Sequence, residues 1–232
     1  MLLKKKILII SVIILTSANI WAGDSASFVD LGFSPDGRNY MFGQYGVLSS
    51  VLKPWAELYI VDVRGNNFVQ NGRVSFTQEN PIKAGQDGSG VFYRLLTNNS
   101  SLANQNSVNF QNQGLPLYIS REENPPENGE TIDFRDFISG NNYTAELIFS
   151  RNRSGQNVSS SFYINMKVKA VNGQEKKYMV GNPSIVRAKV QSYHIKRVLI
   201  DSTGSSIIFV IEMKQAAESG FNIRYMVEAQ KL

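Results

Sequence analysis

The chain has 232 residues, 42% of them hydrophobic and 19% charged, with no cysteine. That balance is too apolar for disorder and supplies a sizeable core, while it excludes thiol catalysis, cysteine zinc clusters and disulfide staples. The formal charge of +5 includes Lys4, Lys5 and Lys6, so 5 − 3 = +2 remains beyond them, and no later basic run marks a nucleic-acid partner.

Those three lysines open a signal peptide over residues 1–22: an apolar stretch from Ile7 to Leu15 broken by Ser11, then the small-residue exit Ala18 to Ala22. Cleavage is expected after Ala22, with a site near Ala26 as second choice. The apolar run falls short of the roughly 20 residues a membrane span needs, and no cysteine near the cut offers a lipid anchor. The expected product is a single β-rich domain over 23–232, periplasmic or secreted, with no stable membrane span.

Asp30 to Gly46 reads as a strand, a tight turn and a second strand. Pro35 presets φ for a type I turn, Asp36 can bond its own backbone and Gly37 supplies a left-handed residue, which together predict a three-residue loop. That loop sets Phe33 opposite Asn39 and Leu31 opposite Met41, so Val29, Leu31, Phe33 and Met41 share one face and Tyr40 and Phe42 the other. Large apolar groups on both faces predict a sheet covered on both sides.

Ser49 to Trp55 reads as a connection and Ala56 to Val63 as a third strand, with Leu58 and Ile60 on one side and Tyr59, Val61 and Val63 on the other. Phe68-Val69 and Val74 to Phe76 flank Asn71-Gly72, which predicts a short hairpin. Thr77 to Gly90 is polar. Ser89 then caps one short helix near 89–103, in which Phe92, Leu95 and Leu96 recur at helical spacing; Asn98 to Gln113 is equally compatible with a loop. Leu115 to Ser120 is a strand and Arg121 to Glu130 an exposed loop.

Tyr143 to Ser150 reads as a strand followed by a polar loop through Gly155. Ser161 to Val171 and Glu175 to Val180 form a hairpin at Asn172-Gly173. A three-residue loop is preferred over a two-residue one because it gathers Ile164, Met166, Val168, Tyr178 and Val180 on one face and leaves Lys167, Lys169 and Lys177 in solvent. Val198 to Val210 then repeats the opening hairpin, with Gly204 in the place of Gly37 (204 − 37 = 167 residues on), Ile200 in that of Phe33 and Phe209 in that of Phe42. Ile207 to Ile211 predicts a strand buried on both faces, and Asn222 to Glu228 a closing strand. The fold class is therefore all-β, mainly antiparallel, as propeller-like blades or a sandwich, with one short helix.

Leu31-Gly32-Phe33-Ser34-Pro35-Asp36-Gly37, followed by Leu58-Tyr59-Ile60-Val61-Asp62, resembles a blade of the WD-repeat and TolB-type β-propellers, which implies blade-like units at 27–64 and 195–230. The leader, Phe28 to Val47, Leu58 to Val63, Val180-Gly181-Asn182-Pro183 through Tyr193, and Val198 to Val227 together resemble a family of predicted secreted bacterial proteins classed as a domain of unknown function. The resemblance implies export and a mostly β fold. It supplies no catalytic residue. The first and last sheets are expected to lie adjacent, because closing such sheets on each other removes exposed edges.

No catalytic, cofactor or metal site is assigned. His194 is the single histidine, and a lone histidine entering a strand is most often a partly buried strand residue. No serine sits in a Gly-x-Ser-x-Gly elbow; Gly88-Ser89-Gly90 lacks that spacing, so no triad is expected. Asp133, Asp136 and Glu146 could converge with Arg135 as a glycosidase-like acid pair; loop, cap and solvent-facing positions are the commoner explanation. The acidic loop Glu122 to Glu130 lacks calcium-loop spacing. Arg121, Arg135, Arg151 and Arg153 could bind an anion or glycan, and Trp55, Tyr45 and Tyr143 could stack on a sugar or peptide, although aromatics flanking strands more often cover a sheet end. The sequons at Asn98, Asn99, Asn142, Asn152 and Asn157 are incidental in a bacterial protein. The first expectation is a non-enzymatic envelope scaffold that binds a protein or glycan through the loops Thr77–Gly114 and Arg121–Gly140. The alternative is a carboxylate-dependent hydrolase of envelope glycan or peptide. An assembly subunit using a sheet edge is a third reading, and it requires an uncovered strand.

Overall fold

The computed structural model describes residues 23–122, 125–155, 157–218 and 220–232; the predicted leader lies outside them. Strands β1 (Ser27–Phe33), β2 (Asn39–Leu48), β3 (Lys53–Asp62) and β4 (Asn67–Thr77) form a first sheet in chain order. Helices α1 (Ser89–Asn98) and α2 (Ser100–Gln105) follow, then β5 (Leu115–Ile119). An outer sheet contains β6 (Glu130–Arg135), β7 (Asn142–Ser154), β8 (Asn157–Lys169), β9 (Glu175–Val180) and β10 (Arg187–Ala188), in the order β10-β8-β7-β6 with β9 also on β8. The central sheet, β13-β12-β11-β5, is completed by β11 (Val190–Ile200), β12 (Ser206–Ala216) and β13 (Phe221–Lys231).

The sheets stack face to face. Leu31, Met41, Leu58 and Ile60 of the first sheet pack under Val91, Phe92, Leu95 and Ala103 of the helices. Phe33, Tyr40, Phe42, Val61 and Val63 on its other face meet Leu199, Ile208, Val210, Val227 and Ala229 of the central sheet. Ile195, Val198, Ile207, Phe209 and Ile211 point the opposite way, onto Leu147, Phe162, Ile164 and Met166 of the outer sheet. The central sheet is thus covered twice, which is why Ile207 to Ile211 is apolar at every position and why all five are fully buried. The first and last sheets do lie together, but as layers. They do not close into a ring, and the propeller resemblance is not supported: the far face of the first sheet is covered by the helices and not by the outer sheet, so the stack ends there.

The first hairpin differs from expectation in register. Ser34 N–H donates to Asn39 O (2.9 Å) and Gly37 N–H to Ser34 O (3.0 Å), which closes a four-residue loop. Phe33 therefore pairs with Tyr40, and Leu31 is the extra residue of a bulge beside Gly32, at φ 102. Phe33 joins Tyr40 and Phe42, leaving Leu31 with Met41. Both faces are apolar as expected. The Asn71-Gly72 pair does not turn a hairpin, because the segments flanking it are too short to pair alone. It bulges β4, which runs beside β3 throughout, Phe68 facing Val61 and Arg73 facing Tyr59. β3 also starts earlier than expected, at Lys53.

The expected single helix is two, broken at Asn99, whose N–H and side-chain amide both turn back to Leu95 O. Ser89 lies inside the first turn after Gly88, with the Asp87 carboxylate accepting its N–H at 3.1 Å. The loop after α2 is fastened to the edge of β1 through Asn109 N–H to Phe33 O (3.0 Å) and Phe33 N–H to Asn112 O (2.7 Å). β7 and β8 run 13 residues each to a turn at Gly155, past the strand ends expected from periodicity. Their extensions carry serine, asparagine and arginine, which give hydropathy no signal. The β8–β9 turn is the three-residue loop expected, with Met166 opposite Tyr178, Ile164 opposite Val180, and Lys167, Lys169 and Lys177 exposed.

Candidate functional site

A cleft of about 930 Å³ opens where the first sheet, the β13 edge of the central sheet and the segment Met179–Val190 meet. Its size is that of a small-ligand or short-peptide site. One end is built by Gln44, Glu57, Tyr59 and Tyr225. Glu57 accepts from Gln44 Nε2 (2.8 Å) and from the Tyr59 hydroxyl (2.7 Å), and burial, reinforced by the Glu57 charge, keeps the Tyr59 phenol protonated well above its ordinary range. At the other end Glu228, 5% exposed, accepts from the Asn66 side-chain amide and from Arg187 Nη2 (3.3 Å). Burial pushes the Glu228 carboxyl above its ordinary value, and Asn66 and Arg187 oppose that shift. Arg73 lies over the Phe68 and Tyr59 rings at 5.1 and 6.0 Å, with no ion pair among the described residues.

β13 is an edge strand, and its outward backbone groups from Tyr225 to Ala229 face this cleft. Ile223 N–H donates to Asp24 O (2.7 Å), Tyr225 N–H to Gln44 Oε1 (2.8 Å) and Ala229 N–H to Asn66 Oδ1 (2.7 Å). By the alternation of an antiparallel strand, the N–H and C=O of Val227 point the same way. Among the described residues they have no partner. Two side-chain amides, from β2 and from the β3–β4 turn, therefore cover the edge on either side of Val227, whose side chain is buried against the first sheet.

A second cluster joins residues that are distant in the chain. Ser120 Oγ lies 2.8 Å from His194 Nε2, and His194 Nδ1 lies 2.9 and 3.0 Å from the two Glu130 oxygens. This is the connectivity of nucleophile, base and orienting acid, in a chain where no triad was expected. All three side chains are buried, Ser120 Oγ also accepts Glu122 N–H (3.2 Å), and Glu130 also accepts the N–H of Ile195. None of them lines the cleft. Glu130 supplies an acceptor to β11 just where β5 has ended, so the group fastens the outer sheet to the central one. His194 is a strand residue, as its sequence context suggests, and is 2% exposed.

The sequence-flagged carboxylates are not brought together in the cleft. Asp133 is exposed on β6 and bonds Thr144 Oγ1 (2.6 Å), Glu146 is exposed on β7, and Asp136 is buried in its own loop, accepting Ile138 N–H (2.8 Å) and Ser139 Oγ–H. Trp55 is buried with the Arg224 guanidinium 4.3 Å over its ring, Tyr45 packs on Phe92 and Tyr143 stacks on Phe134, so these three cover sheet surfaces. Arg121, Arg135 and Arg153 are exposed, and Arg151 bonds Gln191 O (3.2 Å). Within the acidic loop Glu123 and Asn124 lie outside the described residues, and Glu127 pairs with Lys214 (3.5 Å). No group of three or more His, Asp or Glu side chains that could hold a metal occurs among the described residues. The loops Thr77–Gly114 and Arg121–Gly140, expected to supply a recognition surface, do not line the cleft. The available signal lay elsewhere: Glu57 and Glu228 are charges inside otherwise apolar strands, where a carboxylate needs partners.

No curated protein and no solved structure matches this chain. The described residues contain no helix long and apolar enough to cross a membrane. The family model described as Predicted secreted protein (DUF2259) matches residues 41–231, and the chain belongs to that family.

Proposed function

We propose that this is an exported, non-enzymatic binding protein whose cleft takes an extended segment of an envelope protein alongside β13. The observation that carries the reading is the open edge at Val227. Its N–H and C=O face the cleft, and Gln44 and Asn66 occupy the flanking positions as a neighbouring strand would. From Tyr225 to Ala229 the edge spans about 14 Å, room for three or four residues of added strand. Tyr59, Phe68 and Tyr225 offer apolar contacts for its side chains, and Arg73 a contact for an acidic one. A hydrolytic role has less support: Glu57 and Glu228 are both engaged by neighbours, and the carboxylates on the outer sheet share no cavity with them.

Cleavage after Ala22 would keep Asp24 and its contacts in the exported chain. Asp24 accepts from Ser49 N–H (2.6 Å) and Arg224 Nη2 (3.1 Å), and Ala26 N–H donates to Ile223 O (3.1 Å). A cut near Ala26 would discard Asp24 and leave Arg224 without its carboxylate.

The test passes a proteolytic digest of envelope proteins over the immobilised chain from Gly23 onward and identifies retained peptides by mass spectrometry. Resynthesised peptides should lose at least about tenfold in affinity when alternate backbone amides are N-methylated in one register and little in the other. Arg73→Glu changes an exposed side chain of the cleft wall that lies over the Phe68 and Tyr59 rings; the variant should fold and lose binding of acidic peptides. Retention of glycan in place of peptide, or equal loss of affinity whichever register of backbone amides is N-methylated, overturns the reading.

A further inference from the structure

Turns usually end in polar residues, yet the two turns at one end of the outer sheet carry large apolar side chains in open solvent. Phe137 is 89% exposed, Ile138 78% and Val171 74%. The turns touch: a β-carbon on Gly140 would lie 2.8 Å from Val171 Cγ2.

The β6–β7 loop is firmly built. Asp136 N–H donates to Asn141 O (3.0 Å), Gly140 N–H to Asp136 O (2.8 Å), and the buried Asp136 carboxylate accepts Ile138 N–H and Ser139 Oγ–H. These bonds hold Phe137 and Ile138 outward from a fixed loop rather than letting them fold back on the sheet. Val171 stands beside them on the β8–β9 turn, closed by Gly173 N–H to Ala170 O (2.9 Å).

The strand ends beneath the turns are basic. The pairing rows Arg135–Asn142–Lys169–Glu175 and Asp133–Thr144–Lys167–Lys177 lie flush with the tip and two residues behind it, about 7 Å back, with Lys176 in the row between. Arg135, Lys167, Lys169, Lys176 and Lys177 are all exposed. The carboxylates among them are fewer: Glu175 pairs with Lys167 at 2.9 Å, while Asp133 beside Thr144 and Asp136 in its own loop keep their charge, so five cations outnumber three anions.

We infer that this end of the outer sheet docks on an anionic lipid surface, with Phe137, Ile138 and Val171 entering the interface and the surrounding cations meeting the headgroups. The charge pattern selects this occupant. A second copy would present the same basic collar and repel, whereas an acidic bilayer complements the collar and takes the apolar tip. The site lies away from the Val227 cleft and does not depend on what that cleft binds.

Co-sedimentation with vesicles of equal parts phosphatidylglycerol and phosphatidylcholine tests the inference, with pure phosphatidylcholine vesicles as the comparison. The expected result is binding to the anionic vesicles that falls at least about tenfold in Phe137→Ser/Ile138→Ser, falls similarly in Lys167→Glu/Lys169→Glu, and weakens as salt is raised. Thermal melts of both variants should match the parent, because the altered side chains lie outside the core. No binding to anionic vesicles overturns the inference, as does equal binding to both vesicle types. A concentration-dependent dimer in sedimentation velocity that Phe137→Ser/Ile138→Ser dissolves would assign the tip to self-association instead.

Discussion

In the β1–β2 hairpin Ser34 and Asn39 close a four-residue loop with Gly37 at φ 65; in β11–β12, 167 residues on, Asp201 and Ser206 close the same loop with Gly204 at φ 70. The two turns meet, Ser206 Oγ donating to Gly37 O at 3.0 Å. Their surroundings differ. One face of β1–β2 lies under helices, so close that a β-carbon on Gly43 would strike the Phe92 ring, while β11–β12 is pressed between two sheets. The same local turn therefore supports a strand that mixes glycine and glutamine with aromatics in one copy and an unbroken run of branched and aromatic residues in the other. Turn chemistry sets the hairpin; what covers each face sets the strand's composition.

The largest test of that contrast compares Phe209→Ala with Phe92→Ala. Phe209 in the central sheet should cost about 4–5 kcal/mol and Phe92 in the helical lid about 3. Hydrogen exchange should rise through the central and outer sheets in the first variant and only through the helices and first sheet in the second. Equal costs with the same exchange pattern would mean that the lid is as integral as the central layer.

A smaller effect separates the two turns. Asp201 is 1% exposed and accepts the N–H groups of Thr203, Ser205 and Ser206, whereas Asp36 is exposed and bonds Ser34 Oγ–H (2.7 Å) and Arg38 N–H (3.1 Å). Asp201→Ala should cost about 2–3 kcal/mol in denaturant titrations, because it strands buried donors, and Asp36→Ala less than about 1. A reversed order would break the assignment of Asp201 as the buried version of the turn.

The smallest expected effect is a pH dependence across the layer between the hairpins. The 167-residue offset sets Asp30 in the place of Arg197, and the two are close enough to interact. Burial raises the Asp30 carboxyl from 3.8 to about 6, against lowering by Tyr40, the Gly32 N–H and Arg197. The buried Tyr40 hydroxyl approaches Asp30 without making a well-formed hydrogen bond, and we regard it as a longer polar contact. Between those two values the folded chain keeps a proton that the unfolded chain has released, so this contribution falls as pH rises from about 4 to about 6 and is absent above. A shift of that size corresponds to at most about 3 kcal/mol, reduced by the solvent contact of the half-buried carboxyl. Asp30→Asn should flatten that part of the stability–pH curve; an unchanged slope would assign it to another group.

Much of the first and central sheets was legible because their strands alternate or run apolar and are punctuated by strong turn residues. Ile207 to Ile211, the β8–β9 loop and the hairpin repeat needed only local rules. The register of β1–β2 was not readable, since a three-residue and a four-residue loop both accommodate Pro35-Asp36-Gly37, and the hydrogen bond from Ser34 to Asn39 decides between them. β6 and the ends of β7 and β8 escaped because their outward residues are polar. Ser120, Glu130 and His194 could not be associated at all: 74 and 64 residues separate His194 from its partners, and no spacing rule spans that distance.

By itself the sequence determined the β class, the short helical segment and the strand buried on both faces, since each follows from hydropathy period and turn chemistry within a few residues. Only the tertiary structure decided that the sheets stack instead of closing into a ring, that the cleft forms at the edge of β13, and that Phe137, Ile138 and Val171 stand together at one tip. Those outcomes depend on which faces and edges remain uncovered after packing, and coverage is a relation between distant segments that no local pattern encodes.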